Sequence, residues 1–178
     1  MRLCLLYGLL LLLVFSSCNF KKDSLSEIGN NDFVLLVPDN FIQPSDPQED
    51  AILHLCEDST DFLKGLSVVV YKDSINGNDN ESTLYSYYNY VANNILDETL
   101  ESGNLETPKD TVVNGLNGLI FKTCGISNQN GNSQNVCFYT GVFKGCHNFY
   151  EVTVWCTEAN IPKYNNTISQ IIGSFKEK

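Results

Sequence analysis

Histidine is scarce in this sequence, and the short motifs that mark common enzyme families are absent. The 178 residues include two histidines, His54 and His147. No G-x-G-x-x-G, G-x-x-x-x-G-K-S/T, H-E-x-x-H or G-x-S-x-G string occurs, so the dinucleotide-binding, P-loop, zinc-peptidase and α/β-hydrolase signatures are missing. We therefore expect no set of catalytic residues, no metal site and no cofactor.

Positive charge is also scarce. The chain has 11 Lys and Arg residues against 21 Asp and Glu, which gives a formal net charge of −10. Nucleic-acid phosphates and anionic lipid headgroups both repel such a chain. We expect no nucleic-acid partner, and contact with a membrane has to be covalent or go through another protein. The composition is otherwise that of an ordinary globular protein.

No apolar run in the sequence is long enough to cross a bilayer. The apolar stretch over residues 3–15 follows Arg2 and is shorter than the roughly 20 residues that a transmembrane helix needs. It ends in FSSC, with two small residues before Cys18, as in a bacterial lipobox. The pattern predicts a lipoprotein signal peptide over residues 1–17 and a lipid on Cys18. A cysteine that follows an ordinary cleavage site is the alternative.

The segment after Cys18 bears on how and where the protein is anchored. Residues 18–31 carry few apolar side chains and are predicted to form a flexible tether. Asn19 resembles the sorting signal of outer-membrane lipoproteins. The sequence thus predicts a lipid-anchored protein of the bacterial outer membrane, on either its periplasmic or its surface face. A single globular domain is expected over residues 32–178.

The first half of this domain predicts strands and then a helix. Runs rich in β-branched residues predict strands over residues 33–38, 51–56 and 66–71. For the helix, Ser82 is the expected N-cap and Gly103 the expected stop. Its expected buried stripe has the helical period and consists of Leu84, Tyr88, Val91, Ile95 and Thr99.

The second half predicts further antiparallel strands. An edge strand is expected over residues 106–113, followed by a hairpin turn at Asn114-Gly115 and a strand over residues 118–124. Two more strands are expected over residues 135–143 and 148–156.

A terminal helix completes the predicted fold. It should begin near Pro162, where a missing N–H costs nothing. This order of elements predicts an α+β fold, in which helices pack on an antiparallel β-sheet. The side chains expected to face the sheet are Tyr164, Ile168, Ile171, Ile172 and Phe175.

Four stretches of the domain resemble the landmarks of PsbP-like and DcrB-like proteins: FVLLVPDNF, VNGLNGLIF, FYEVTVW and IIGSFK. The resemblance spans most of residues 33–176. It implies a small α/β/α sandwich with a central antiparallel sheet, often found as a bacterial lipoprotein. It also implies a non-catalytic accessory, scaffold or binding role, with no catalytic residues to carry over. Phe41 stands where many relatives carry Trp, and the cysteines are not part of the family pattern.

The cysteines of the domain predict a row across three strands. Folding the polar loop over residues 125–134 about its centre places Cys124 opposite Cys137. Folding the next turn near Cys146 places Cys137 opposite Cys156 as well. Directly opposed residues of antiparallel strands are within disulfide range. We favour a Cys124–Cys137 bond, because the polar loop over residues 125–134 is longer and more flexible than the turn over residues 144–148 and gains more from closure, with Cys156 as the alternative partner. Buried, reduced thiols are the other alternative.

A small envelope hydrolase is the alternative function. His54 and Cys56 are two residues apart on a strand and share a face, and Glu57 follows them. A nucleophile pair would need the imidazole within hydrogen-bond reach of the sulfur and a third group to orient it. Cys146 and His147 are adjacent, but no further ligands at zinc-site spacing accompany them. Structural roles are favoured for all of these residues.

A non-catalytic binding or accessory protein is the leading hypothesis. The helix carries four tyrosines, of which Tyr85 and Tyr90 lie outside the expected core stripe. They form the expected contact surface for a protein partner in the envelope. A buried polar cluster around His54, Cys56 or Glu57 would favour the hydrolase, whereas a tyrosine-lined patch without one would favour the binding protein.

Overall fold

The computed structural model describes residues 24–58, 65–75, 83–129 and 132–178, which form two antiparallel sheets with two helices packed against them. The predicted α+β class is therefore confirmed. The predicted signal peptide, Cys18 and Asn19 lie outside the described residues. In the described part of the chain, no helix has the length and apolar character needed to cross a membrane.

The larger sheet has seven strands in the order β3-β4-β9-β8-β7-β5, with β6 also paired to β7. The predicted strands of both halves are found, most of them with ends shifted by a few residues. Their bounds are β3 (Leu53–Cys56), β4 (Ser67–Ser74), β5 (Ser102–Leu105), β6 (Lys109–Val113), β7 (Leu116–Gln129), β8 (Asn132–Lys144) and β9 (Asn148–Thr157).

A smaller sheet consists of β1 (Leu25–Gly29), β2 (Phe33–Pro38) and β10 (Lys176–Glu177). The prediction of a flexible tether up to residue 31 is therefore wrong for residues 25–29, which pair with β2 along their whole length. This strand has little apolar pattern of its own, because backbone pairing with β2 and the packing of Ile28 against the core hold it in place. The folded part begins before residue 32.

The first helix, α1 (Leu84–Asn94), continues into a π-helical turn (Ile95–Thr99). Its N-cap is Thr83 rather than Ser82, which lies outside the described residues. The Thr83 hydroxyl accepts a hydrogen bond from the Ser86 N–H at 3.0 Å, and the Ser86 hydroxyl accepts one from the Thr83 N–H at 2.9 Å. These reciprocal bonds form a capping box.

The prediction that Gly103 ends the helix is wrong, because Gly103 lies in β5. There it pairs with Gly125 of β7. A Cβ atom on Gly125 would lie 2.0 Å from the Ser102 carbonyl oxygen. The glycines therefore permit two backbones to approach closely, which a sequence pattern does not distinguish from a helix end.

The buried side of α1 is wider than predicted. Tyr88, Val91 and Ile95 are buried as expected and Leu84 is half-buried, whereas the Thr99 side chain lies outside the described part. Tyr87, placed outside the core by the helical period, is also buried. It packs there because Phe149 stacks on its ring at a centroid distance of 4.8 Å.

The terminal helix, α2 (Ile161–Ser174), begins with Pro162 in its first turn, as predicted. Its five predicted core residues are all buried. The turn between β6 and β7 holds its C-terminus. Asn114 and Gly115 both have positive φ, the pattern of the predicted Asn-Gly hairpin turn. The Asn114 amide then donates to the Phe175 carbonyl oxygen at 2.8 Å and satisfies a group that the helix end leaves unpaired.

The predicted loop over residues 125–134 is instead mostly strand. β7 runs to Gln129 and β8 begins at Asn132, and these two residues face each other. The prediction failed because β5 and β8 pair with this part of β7 through the backbone, regardless of its polar side chains. The predicted register is confirmed, since Cys124 faces Cys137 and Cys137 faces Cys156. In the structure Cys124 and Cys137 are disulfide-bonded, with 4.1 Å between their Cα atoms.

The seven-stranded sheet separates two cores. α2 and the small sheet cover one face, which we call the α2 face, over a cluster that includes Phe33, Phe143 and Phe175. α1 covers part of the other face, the α1 face, over a cluster that includes Tyr88, Phe121 and Trp155. The result is a sandwich of three layers with the large sheet in the middle, and the candidate site lies on the α1 face.

Candidate functional site

A cleft of about 620 Å³ opens where α1 meets β4, β9 and the segment before β3. Tyr90, Val91 and Asn94 of α1 and Ile95 of the π-helical turn form one wall. The remaining walls consist of Gln48, Glu49, Asp50, Tyr71, Lys72, Asp73 and Glu151. The cleft is thus lined by carboxylates on one side and by an aromatic ring on the other.

Strand periodicity directs the acidic side chains of the sheet into this cleft. Tyr71 and Asp73 of β4 alternate with residues of the other face, and Tyr71 lies opposite Glu151 of β9. Asp73 lies opposite Phe149, two pairs further along and on the same face. Tyr87 of α1 stacks on Phe149, whereas Glu151 lines the cleft, so the sheet places a polar area beside an aromatic one.

The carboxyl group of Glu151 has a raised pKa. Burial raises its pKa to about 7, although a hydrogen bond from Thr153 opposes the shift and the charge of Asp73 adds to it. The Thr153 hydroxyl donates to Glu151 Oε1 at 2.6 Å. Thr140 lies 2.9 Å from that same hydroxyl oxygen and, with the Thr153 proton engaged, acts as its donor. A chain of hydroxyl groups thus holds the carboxylate from inside the sheet.

Two tyrosines position the other polar groups. The Tyr87 hydroxyl donates to Asp73 Oδ2 at 2.7 Å, and burial together with this bond raises the tyrosine pKa. Burial, followed by the charges of Glu151 and Asp50, raises the pKa of Tyr71 to about 12. Both phenols therefore remain protonated at neutral pH, and the Tyr87 hydroxyl serves as a hydrogen-bond donor. Neither is an available base.

The cleft carries an excess of negative charge. Among the described lining residues, Lys72 is the one cation, and its ammonium group is already paired with Asp32 at 2.6 Å. Four of these residues bear carboxyl groups: Glu49, Asp50, Asp73 and Glu151. This arrangement suits an entering ammonium or guanidinium group, which would restore the charge balance and find oxygen acceptors. Among residues 24–58, 65–75, 83–129 and 132–178, no group of three or more His, Cys, Asp or Glu side chains is placed to hold a metal ion.

The structure does not bring the predicted hydrolase residues together. His54 and Cys56 share the α1 face, as expected, but Glu57 bonds to Tyr164 and Lys163 of α2 beyond the other face. His54 Nδ1 accepts the Gln48 N–H at 2.9 Å, and the Cys56 thiol donates to the Ile42 carbonyl oxygen at 3.6 Å. Burial lowers the pKa of His54 and raises that of Cys56. These bonds give all three residues structural roles.

The adjacent pair Cys146 and His147 lies in the exposed turn between β8 and β9. The Cys146 N–H donates to Glu177 Oε2 of β10 at 3.0 Å, which ties this turn to the small sheet. Its role in the described structure is to join the two sheets.

Tyr85 and Tyr90 lie on different sides of α1. The Tyr85 hydroxyl donates to the Asp110 carboxylate of β6 at 3.2 Å, and its ring meets that of Tyr88. Tyr90 borders the cleft and neighbours Tyr87 on the β9 side. Five residues correspond to about 140° around a helix, so one continuous surface does not contain both rings. Only Tyr90 belongs to the cleft.

The prediction from sequence missed Asp73, Tyr87 and Glu151. One signal was present in the sequence: Glu151 shares its strand period with Phe149, Thr153 and Trp155, so a charged residue occupies an inward position of an apolar strand. Such a residue needs a partner or a solvent-filled cleft. No comparable signal marks Tyr87.

Comparisons with known proteins bear on the fold. No protein-family model matches the sequence, and no curated protein matches it. Among solved structures, the cyanobacterial PsbP (CyanoP) of Synechocystis has a TM-score of 0.57 at 12% identity, over 93% of this chain and 99% of that one. The fold is PsbP-like.

Two further structures support this assignment. LpqN, involved in cell envelope biogenesis of Mycobacterium tuberculosis, has a TM-score of 0.57 at 12% identity, over 87% of this chain and 91% of its own. The Ran-binding protein Mog1p of Saccharomyces cerevisiae has a TM-score of 0.56 at 9% identity, over 87% of this chain and 96% of its own. At such identities the likeness concerns the fold alone, and function has to be argued from the site.

Proposed function

We propose that this protein is a non-catalytic binding protein of the bacterial cell envelope, anchored through a lipid on Cys18 at the outer membrane. The lipobox pattern before Cys18 and the Asn19 that follows it support the anchor and its location. The PsbP-like fold supports the binding role, because its members with named roles include a Ran-binding protein and an envelope protein. The protein acts as an accessory component that holds a protein partner near the membrane.

The acidic cleft beside Tyr90 is the observation that carries this proposal. Among its described lining residues, the carboxyl groups outnumber the one lysine, Lys72, which Asp32 already neutralises. A lysine or arginine side chain of a protein partner fits this environment, with its charged end near Asp73 and Glu151 and its stem against Tyr90. The net charge of −10 favours encounter with a basic partner over long distances.

Site-specific photo-crosslinking in the native envelope tests the binding role. A benzophenone amino acid replaces Tyr90 in one strain and Tyr85 in another, two tyrosines of the same helix that are 59% and 50% exposed. We expect Tyr90 to capture one protein through a segment that contains Lys or Arg, whereas Tyr85 captures little. Asp73→Asn should lower the capture at Tyr90 at least about tenfold, because a charge-assisted bond is lost. Equal capture at both positions, or attachment to a segment without a basic residue, would contradict the cleft.

Mass spectrometry of the native protein tests the anchor. The mature chain should begin at Cys18 and carry acyl chains, which hold a protein firmly because each buried methylene contributes about 0.8 kcal/mol. Cys18→Ser should leave the chain unprocessed or release it from the membrane fraction. An unacylated N-terminus at Asn19 would refute lipid anchoring without affecting the proposal for the cleft. Fractionation of inner and outer membranes tests the location.

A further inference from the structure

We propose that Cys124, Cys137 and Cys156 form a thiol–disulfide exchange row, in which the disulfide moves from Cys124–Cys137 to Cys137–Cys156 and leaves Cys124 as a reactive thiol. This inference is independent of the cleft and of the lipid anchor. It rests on three cysteines placed side by side across three neighbouring strands, two of them bonded and the third free.

The register brings the third thiol next to the existing bond. Cys124 lies opposite Cys137, and Cys137 lies opposite Cys156, so all three side chains emerge on the α2 face. The Cα atoms of Cys124 and Cys137 are 4.1 Å apart, which marks a narrow pair without direct hydrogen bonds. The N–H and C=O of Cys137 therefore point toward β9. The Cys137–Cys156 pair is then of the wide kind, about 5.5 Å between Cα atoms, which a disulfide also spans.

The order of the three cysteines allows Cys156 to attack Cys137 in line with the Cys124–Cys137 bond. The three side chains follow one another across the strands, so Cys156 approaches Cys137 from the side opposite Cys124. A thiolate that displaces a sulfur leaving group attacks along the existing sulfur–sulfur bond. The row supplies this approach without a change in strand pairing. A bond between Cys124 and Cys156 is excluded, because β8 lies between their strands.

The reaction is balanced without an oxidant. Cys156 loses its proton, and its sulfur forms a bond to the sulfur of Cys137. The Cys124–Cys137 bond breaks, and Cys124 leaves as a thiolate that takes up a proton. The number of disulfides remains one, so an internal exchange changes only which cysteine carries the free thiol.

The two disulfide isomers differ in how deeply the free thiol is buried. Cys156 is fully buried, Cys137 is fully buried, and Cys124 is half-buried on the side of β5. Burial raises the pKa of the Cys156 thiol to about 11, although the charge of Lys122 opposes the shift. In the form seen in the structure, the free thiol is therefore protonated and sheltered in the core. After exchange, the free thiol is Cys124, next to the exposed Asn104 of the edge strand.

The consequence is a modification site that one disulfide isomer hides and the other exposes. A thiol on β7 beside an edge strand is accessible to alkylating reagents and to small disulfides, whereas Cys156 is not. Exchange also moves the covalent link from the β7–β8 hairpin to the β8–β9 hairpin. The outer half of the β7–β8 hairpin then depends on backbone pairing alone.

Trypsin separates the two isomers cleanly. Cleavage after Lys122, Lys144 and Lys163 gives one peptide, residues 123–144, that contains both Cys124 and Cys137, and a second, residues 145–163, that contains Cys156. The Cys124–Cys137 bond closes a loop within the first peptide, whereas the Cys137–Cys156 bond links the two peptides. Because Cys146 is also in the second peptide, the experiment uses full-length protein carrying Cys146→Ser, which alters an exposed residue.

The protein is incubated with a trace of reduced glutathione at pH 8.5, denatured in excess iodoacetamide, and digested without reduction. Monomer is first isolated on a non-reducing gel, so that bonds between chains do not count. We expect the linked peptide pair, with alkyl label on Cys124, in about a tenth of the molecules or more, because both bonds close loops of similar length. Cys156→Ala in the same background should abolish the linked pair.

A second variant makes the test independent of the exchange rate. Cys124→Ala, oxidised with glutathione disulfide, should form the Cys137–Cys156 bond, with two glutathione molecules released per bond formed. If the linked pair is absent from the equilibrated Cys146→Ser protein while Cys124 stays unlabelled, the proposal is overturned. Alkylation of both Cys137 and Cys156 in a folded, oxidised Cys124→Ala protein overturns it as well. Circular dichroism checks that this variant is folded, and the Cys146→Ser experiment stands without it.

Discussion

The two faces of the seven-stranded sheet bury different kinds of side chain. On the α2 face, the Phe175 ring lies 5.9 Å from that of Phe33, 5.1 Å from that of Phe143 and 5.2 Å from that of Tyr150, measured between centroids. On the α1 face, aromatic rings alternate with buried polar groups. These polar groups are His54, Ser67, Thr123, Thr140 and Thr153, beside the perturbed carboxyl of Glu151.

The two faces contribute differently to stability and to the candidate site. The α2 face is closed by a helix and by a second sheet, so that the apolar residues of its core contribute mainly through burial. The α1 face is covered incompletely, and the polar groups at its open end cost stability that a uniform apolar core would not lose. A site for a charged ligand requires such groups. We therefore expect the stability of this protein to depend mainly on the α2 face and its proposed binding function on the α1 face.

Removing the central ring of the α2 face should have the largest effect on stability. Phe175→Ala should lower the free energy of unfolding by about 3–5 kcal/mol, because it leaves a cavity among three other rings. Phe149→Ala on the α1 face should cost about 1 kcal/mol less, since Phe149 borders the polar end of that face. Urea unfolding at pH 7 measures both. An equal or greater cost at Phe149 would contradict the proposed division.

The disulfide should make the second contribution. Cys124→Ala combined with Cys137→Ala removes a link between residues 13 apart and should lower the free energy of unfolding by about 3 kcal/mol. Cys146→Ala, which removes an exposed and unbonded thiol, should change it by less than about 0.5 kcal/mol. Reductant should destabilise the wild-type protein and leave the double variant unchanged. A wild-type protein insensitive to reductant would show that the bond does not form.

Apolar periodicity was sufficient to predict which residues of the C-terminal segment are buried on the α2 face. Tyr164, Ile168, Ile171, Ile172 and Phe175 recur with the helical period and are all buried. β2 likewise has its predicted bounds. The register of the β7–β8–β9 meander followed from turn centres alone, because one fixed pair in an antiparallel hairpin determines all others. In these regions the local sequence pattern alone determines which residues are buried or paired.

The α1 face was predicted less well, because its packing depends on contacts between distant segments. Tyr87 is buried by stacking on Phe149, a contact that leaves no periodic pattern in the sequence. For the same reason the prediction missed β1 in the small sheet over the α2 face, since backbone pairing with β2 orders that strand. The cleft requires the relative placement of α1, β4, β9 and the segment at residues 48–50, which no single stretch encodes. Asp50 in that segment has a φ of 62° and a left-handed conformation. Asp tolerates this conformation, but the presence of Asp in a sequence does not predict it.

Glu151→Gln should stabilise the protein near neutral pH. With a folded-state pKa raised from 4.5 to about 7, the carboxyl group binds its proton more tightly in the folded state. Below pH 4.5 it is protonated in both states and carries no penalty. Between pH 4.5 and about 7 the unfolded state ionises first, so the free energy of unfolding falls as the pH rises. The full penalty above pH 7 is roughly 3 kcal/mol, and burying an amide instead recovers about 1–2 kcal/mol of it.

Urea unfolding of Glu151→Gln and wild type at pH 4.5 and pH 8 measures this effect. The gain should be present at pH 8 and nearly absent at pH 4.5. Glu158→Gln removes an exposed carboxylate and the same unit of charge, and its effect should stay within about 0.5 kcal/mol at both pH values. A gain at pH 8 that Glu158→Gln reproduces would attribute the effect to net charge rather than to the cleft.

The smallest effect on stability is expected where the effect on binding is largest. Tyr90→Ala removes a ring that is 59% exposed, and Tyr85→Ala one that is 50% exposed and bonded to an exposed carboxylate. Each variant should lower the free energy of unfolding by less than about 1 kcal/mol, because most of each ring is already in water and an exposed hydrogen bond contributes little. Only Tyr90→Ala should weaken capture of the partner, measured here as pull-down from the native envelope without a crosslinker, since only Tyr90 borders the cleft. Equal thermal melting curves with unequal capture would separate binding from folding. Weaker capture by Tyr85→Ala alone would move the contact surface to the β6 side of α1.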